Sequence, residues 1–193
     1  MQFLVKRCLR NQIIFFVTTP LIIVALLWTL VSVLQVLVPQ PTQPRPNAEE
    51  VAQQRVEHRK QAIATYLAAK YRQHKEVVRT YVDLAWRESA KHPDVPPEMV
   101  LAIMTKESSL ISTAKSNYGA QGLMQVVRRW HPEKLSKKES LLDPRVNVRV
   151  GTQILQQYIR EKGQVEQALA KYSGNAQGYA DFVLRQTAVL QAI

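Results

Sequence analysis

Residues 13–38 read IIFFVTTPLIIVALLWTLVSVLQVLV and carry no charged side chain across 26 positions. Wholly helical, such a run extends about 39 Å, more than the roughly 30 Å hydrocarbon core of a bilayer. Pro20 would kink it or confine its straight part to the later residues, and the run remains long enough to cross. A cleaved signal peptide is the alternative. The run is too long for that, however, and PQPTQP follows it where a small-residue cleavage site would stand. Cys8 precedes the run, so it is no lipoprotein cysteine. An uncleaved transmembrane anchor over 13–38 is therefore expected. Residues 1–12 then form a basic tip whose Lys6, Arg7 and Arg10 stay in the cytoplasm, and everything after Val38 faces outward.

Residues 39–76 are expected to separate this anchor from a folded domain. Pro39 to Pro46, PQPTQPRP, has four prolines in eight positions and reads as a stiff extended spacer. Residues 48–76 lack Gly and Pro, are rich in Ala, Gln, Glu, Arg and Lys, and should be helical. Their apolar positions, Val51, Ile63, Tyr66, Leu67 and Tyr71, are sparse. Two readings stand: a short coiled coil or face for an envelope protein partner, or a solvated stalk docked on the following domain.

The formal charge of +11 is spread along the chain. Residues 1–38 carry three basic and no acidic side chains, 39–76 seven and four, 77–193 sixteen and eleven. No compact basic stripe with interleaved aromatics appears, which argues against nucleic acid as a partner; an anionic membrane surface or wall polymer is an easier match. One cysteine and four scattered histidines, His58, His74, His92 and His131, give no metal-ligand spacing, and no cofactor is expected.

Residues 77–193 show helix signals and almost no strand alternation. Val78, Tyr81, Val82, Ala85 and Trp86 form one stripe; HPDVPP at 92–97 then breaks and restarts the chain. Asp143-Pro144 is an N-cap and first-turn pair opening a helix with the stripe Asn147, Val150, Ile154, Leu155 and Tyr158, which Gly163 ends. Val165, Ala168, Leu169 and Tyr172 mark the next helix and residues 179–190 the last. The expectation is a single all-α domain.

Within it, VLAIMTKESSLI at 100–111 contains a misfit: Val100, Ile103 and Met104 define an apolar stripe whose next position is Glu107. Either the helix has ended and the acid lies in water or pairs with Lys106 or a distant arginine, or Glu107 lines a cleft. In the cleft, desolvation and the negative helix end would both raise its pKa, as a general acid requires. Downstream, NYGAQGLMQ at 117–125 places Gly119 and Gly122 in a loop expected to precede a short apolar helix, where another molecule could approach the backbone. Gln125 adds an amide suited to sugar hydroxyls or an N-acetyl group, and Leu123 and Met124 suit a core.

Glu107-Ser108, Gly122-Leu123-Met124-Gln125 and a downstream Ala-x-Tyr segment together resemble the soluble-type lytic transglycosylase (SLT) domain of glycoside hydrolase family 23, over about residues 78–190. The resemblance implies a lysozyme-like fold and cleavage of the β-1,4 bond between N-acetylmuramic acid and N-acetylglucosamine in peptidoglycan. It implies that Glu107 acts first as acid and then as base, and that the muramoyl 6-hydroxyl closes onto C1 to leave a 1,6-anhydro end. Gln125 carries over as a substrate contact, Ser108 as support for the glutamate and substrate, and Tyr172 as the third-motif tyrosine near the acid. The third motif departs from the family's Ala-Tyr-Asn: Ser173 follows Tyr172, in place of asparagine. A conventional retaining mechanism needs a second carboxylate about 5 Å from the first; Asp143 reads better as an N-cap and Glu133 as a surface residue. Joined to the anchor, the resemblance implies a single-pass protein of the bacterial inner membrane with its catalytic domain in the periplasm. Two alternatives are a lysozyme-type hydrolase on the same scaffold and a catalytically weak wall-binding part of an envelope-spanning machine.

Overall fold

A computed structural model of the protein describes Trp28 and residues 47–193. The basic tip, the anchor (apart from Trp28) and the proline-rich spacer lie outside the described residues. Among the described residues no helix is long and apolar enough to cross a membrane. Residues 48–193 form one compact unit with six α-helices and a two-stranded hairpin.

Helix α1, Ala48–Tyr71, has two unlike halves. Its first half is largely exposed. Its second half buries Ile63, Ala64, Leu67 and Ala68 in the core, a spacing that puts all four on one helix face. Helical continuity to residue 76, expected from the absence of Gly and Pro, does not occur. Arg72 takes a left-handed conformation (φ 52°) and Gln73 N–H donates to Ala68 O at 3.0 Å, closing the helix end in the manner usually left to glycine. The face of α1 that carries Ile63, Ala64, Leu67 and Ala68 is taken up by this core, as in a stalk docked on the following domain.

Helix α2, Lys75–Ser89, buries Val78, Tyr81, Val82 and Ala85, the stripe read from sequence. The HPDVPP break follows, with Pro96 extended at the N-cap and Pro97 in the first turn of α3, Pro97–Ser108. Every residue from Glu98 to Thr105 is buried. Helix α3 is thus enclosed on all sides rather than along one stripe. It packs against α2 and against α6, Tyr179–Gln191. Glu98 is buried at its start and pairs with Arg59 of α1 at 2.9 Å.

The chain then forms a hairpin rather than the expected short helix after Gly122. Strand β1, Ala120–Gln121, pairs antiparallel with β2, Val126–Val127, in the register Ala120 to Val127 and Gln121 to Val126. Gly-Leu-Met-Gln at 122–125 is its connection. Strands of two residues are too short to show alternation in sequence. Two 3-10 turns follow, Arg128–Trp130 and Pro132–Lys134. Helix α4, Pro144–Lys162, has the predicted ends: Asp143 Oδ1 accepts from Arg145 N–H at 2.9 Å, and Gly163 is left-handed at φ 69°. Helix α5, Val165–Tyr172, packs on α4 and α6.

Candidate active site

Glu107 stands in the last turn of α3. The helix stops because Ser109 and Leu110 are both left-handed (φ 52° and 66°), and Leu110 is buried. Left-handed backbone costs a residue with a β-carbon roughly 1–2 kcal/mol. Gln125 (φ 47°) and Asn175 (φ 65°) share it. Four of the five such residues described thus flank the acid, the hairpin connection or the α5 end, the usual pattern at sites where geometry is imposed.

The Glu107 side chain is half-buried. Burial pushes its carboxyl above the ordinary 4.5; a hydrogen bond from Tyr179 and the Lys106 ammonium oppose this more weakly. Tyr179 hydroxyl donates to Glu107 Oε1 at 2.6 Å. Tyr179 is buried at the first position of α6, and burial together with the nearby Glu107 charge raises its phenol, so it remains a donor. Lys106 does not pair with the acid; its ammonium lies 4.9 Å from the centre of the Phe182 ring. Among the described residues no carboxylate contributes to the Glu107 shift. Asp143 is occupied as the α4 cap and Glu133 faces solvent beside Lys134.

The residues picked out from sequence mostly hold the hairpin connection against this acid. Ser108 Oγ lies 2.9 Å from Leu123 O and 3.1 Å from Met104 O, joining the end of α3 to the loop. Tyr172 hydroxyl donates to Met124 O at 2.9 Å. It therefore braces the loop, while the tyrosine bonded to the acid is Tyr179. Burial, and then the Glu107 charge, raise the Tyr172 phenol well above its ordinary value. Leu123 and Met124 are fully buried. Asn147 of α4, also fully buried, accepts from Met124 N–H at 2.7 Å and donates to Gln121 O at 2.7 Å and Leu141 O at 2.9 Å. Gly122, at φ 77°, has no room for a β-carbon: one would meet Asn147 Nδ2 and Leu141 O at 2.3 Å.

Gln125 spends its amide N–H groups inside the loop, on Ala114 O at 3.2 Å and Gly122 O at 2.9 Å. Its carbonyl oxygen is the half left for a ligand. Ser173 caps α5, donating to Ala170 O at 3.0 Å and accepting from Ala176 N–H at 3.1 Å; it closes the turn toward α6. A groove of about 90 Å³ runs beside the loop, lined by Gln125 to Val127, Trp130 and His131 together with Ile154, Tyr158 and Tyr172.

Tyr179 is the site residue that sequence reasoning missed. It begins the stripe Tyr179, Val183, Gln186 and Leu190, all buried, and so reads as core. Its partner lies 72 positions away in the chain, and no local signal links the two.

No solved structure matches the chain. Among protein families, the one described as "Transglycosylase SLT domain" matches residues 84–181, just over half of the 193 positions. That stretch runs from within α2 to the first turn of α6 and so includes both Glu107 and Tyr179; the chain belongs to the SLT transglycosylase family, whose lysozyme-like helical domain it carries.

Proposed function

We propose that this protein is a membrane-anchored lytic transglycosylase that cleaves the muramic acid to glucosamine bond of peptidoglycan and leaves a 1,6-anhydro end. The observation that carries the reading is the Glu107 carboxyl, raised by burial and hydrogen-bonded by Tyr179 through Oε1. Tyr179 fixes one oxygen, so the other is the one placed to hold and deliver the proton. In the first step Glu107 gives that proton to the glycosidic oxygen as the C1–O bond breaks, and the muramoyl acetamido oxygen closes onto C1. In the second step the 6-hydroxyl attacks C1, the acetamido oxygen leaves, and the Glu107 carboxylate takes the hydroxyl proton. One carboxyl serves both steps. The engagement of Asp143 and Glu133 elsewhere supports this single-acid route over a two-carboxylate mechanism. The anchor over 13–38 would hold the domain on the periplasmic face of the inner membrane, with the amino terminus in the cytoplasm.

The test is digestion of purified sacculi by the full-length protein, read by mass spectrometry. Anhydromuropeptides from wild type, and a loss of about 10²-fold or more in Glu107→Gln, are expected for a general acid. Products one water heavier would make the enzyme a hydrolase. Equal release by wild type and Glu107→Gln would overturn the proposal.

A further inference from the structure

The segment Arg128–Lys138 reads RRWHPEKLSKK, with five basic side chains and one acidic in eleven positions. Glu133 pairs with Lys134 at 3.4 Å, and Arg128 is consumed internally: its guanidinium donates to Ser136 O and Glu139 O. These bonds pin the 136–139 turn, which carries Lys137 and Lys138, against the 3-10 turn that carries Arg129 and Trp130. Arg149 fastens the turn from α4 by pairing with Glu139 at 2.7 Å. Arg129, Lys137 and Lys138 are exposed and have no acidic partner among the described residues. Three uncompensated cations are thereby held on a braced loop.

That loop contributes to the groove beside the hairpin connection. Trp130, 63 % exposed, and His131 line it. The His131 ring lies 6.3 Å from Tyr158, which lies 6.5 Å from Tyr172, and Tyr172 bonds the backbone next to Gln125. A succession of aromatic rings therefore leads from the basic loop to the hairpin connection, and the Arg129 guanidinium lies 5.5 Å from the Trp130 ring centre. A glycan strand stripped of its peptides carries one lactyl carboxylate per muramic acid; in a strand that bears them, that carboxyl is tied up as an amide and the peptide brings several carboxylates of its own. What three exposed cations on the loop that carries Trp130 and His131 would recognise is carboxylate, and the stem peptides hung from muramic acid present more of it, and farther from the glycan, than a stripped strand does.

We infer that the Arg128–Lys138 loop selects glycan strands that bear stem peptides over peptide-free strands, by pairing Arg129, Lys137 and Lys138 with peptide carboxylates. The inference rests on the proposed substrate and extends it. The test measures binding apart from turnover: fluorescence anisotropy of end-labelled strands of equal length, with peptides or stripped by an amidase, against full-length Glu107→Gln protein in detergent. Peptide-bearing strands should bind about five-fold tighter, as three weak surface ion pairs would give. The preference should fade between about 50 and about 500 mM salt as screening shortens the reach of the charges. Lys137→Gln/Lys138→Gln should reduce it, with a clearly smaller loss of affinity for stripped strands than for peptide-bearing ones. Equal affinity for both strands, a preference unchanged in this variant, or an equal loss on both substrates would overturn the inference. Failure of the proposed function looks different: wild-type protein would bind with this preference and release no anhydro product.

Discussion

Replacing Asn147 with alanine removes one side-chain amide and the three hydrogen bonds it makes to backbone groups. Met124 N–H loses its acceptor at 2.7 Å; Gln121 O and Leu141 O lose their donors at 2.7 and 2.9 Å. Asn147 is 0 % exposed, so water does not replace these bonds without opening the site. A buried polar group left unpaired costs about 1–3 kcal/mol; Gln121 O keeps its place opposite Val126 in the hairpin, so the two others give about 2–6 kcal/mol, with partial relaxation bringing the expected loss to about 2–4 kcal/mol. That is a large part of a typical domain's ~5–15 kcal/mol. Equilibrium urea unfolding followed by circular dichroism measures it. Asn147→Asp isolates the lost donor from the lost volume, because one oxygen still accepts from Met124 while the other faces two carbonyl oxygens. Its carboxyl should be raised in the folded state. The cost is then present above the unfolded carboxyl value of about 3.9 and shrinks as pH falls through the folded one. Asn147→Asp should therefore recover stability on acidification relative to Asn147→Ala. A loss below about 1 kcal/mol for Asn147→Ala would refute the claim that this amide organises the hairpin connection.

Three further outcomes follow from the same geometry. Tyr179→Phe removes the donor that favours ionised Glu107, so its carboxyl should rise further and the alkaline limb of the cleavage-rate profile should move to higher pH; an unmoved limb would separate Tyr179 from the acid's titration. Glu107→Gln should raise thermal stability at neutral pH, because a carboxyl raised by burial costs stability above its unfolded value. The gain should vanish below about pH 4, where the acid is protonated in both states, and differential scanning calorimetry across pH reads this. Gly151→Ala would ordinarily strengthen a helix by about 1 kcal/mol. Here the new β-carbon would meet Met124 Sδ at 2.5 Å and Met124 Cβ at 2.9 Å, so a net destabilisation of about 1–3 kcal/mol is expected in urea unfolding.

The parts of this protein that were legible in its sequence are those determined by neighbours within a few positions. Helix α4 is the clearest case: Asp143-Pro144 supplies a cap acceptor and a preset first turn, Gly163 supplies the left-handed stop, and the apolar stripe lies between. Glu107 was legible as a misfit because the spacing of Val100, Ile103 and Met104 points at its position, although α3 is enclosed on all sides rather than along that stripe. Local signals failed where an unusual residue did a common job. Arg72 ends α1 in a conformation ordinarily taken by glycine, and two-residue strands made a hairpin where an apolar helix was expected.

What only the tertiary structure decided is which groups meet. Composition and spacing placed Tyr172 and Tyr179 alike on buried stripes, and nothing local distinguishes a tyrosine that braces Met124 from one that bonds Glu107. The packing of α6 on α3 makes that choice, bringing residues 72 positions apart to 2.6 Å. The physical reason is range. Caps, turns and amphipathic periodicity are satisfied within one or two helical turns, so sequence encodes them openly. The environment of an acid depends on which helix ends converge around it, and that is settled only when the core closes.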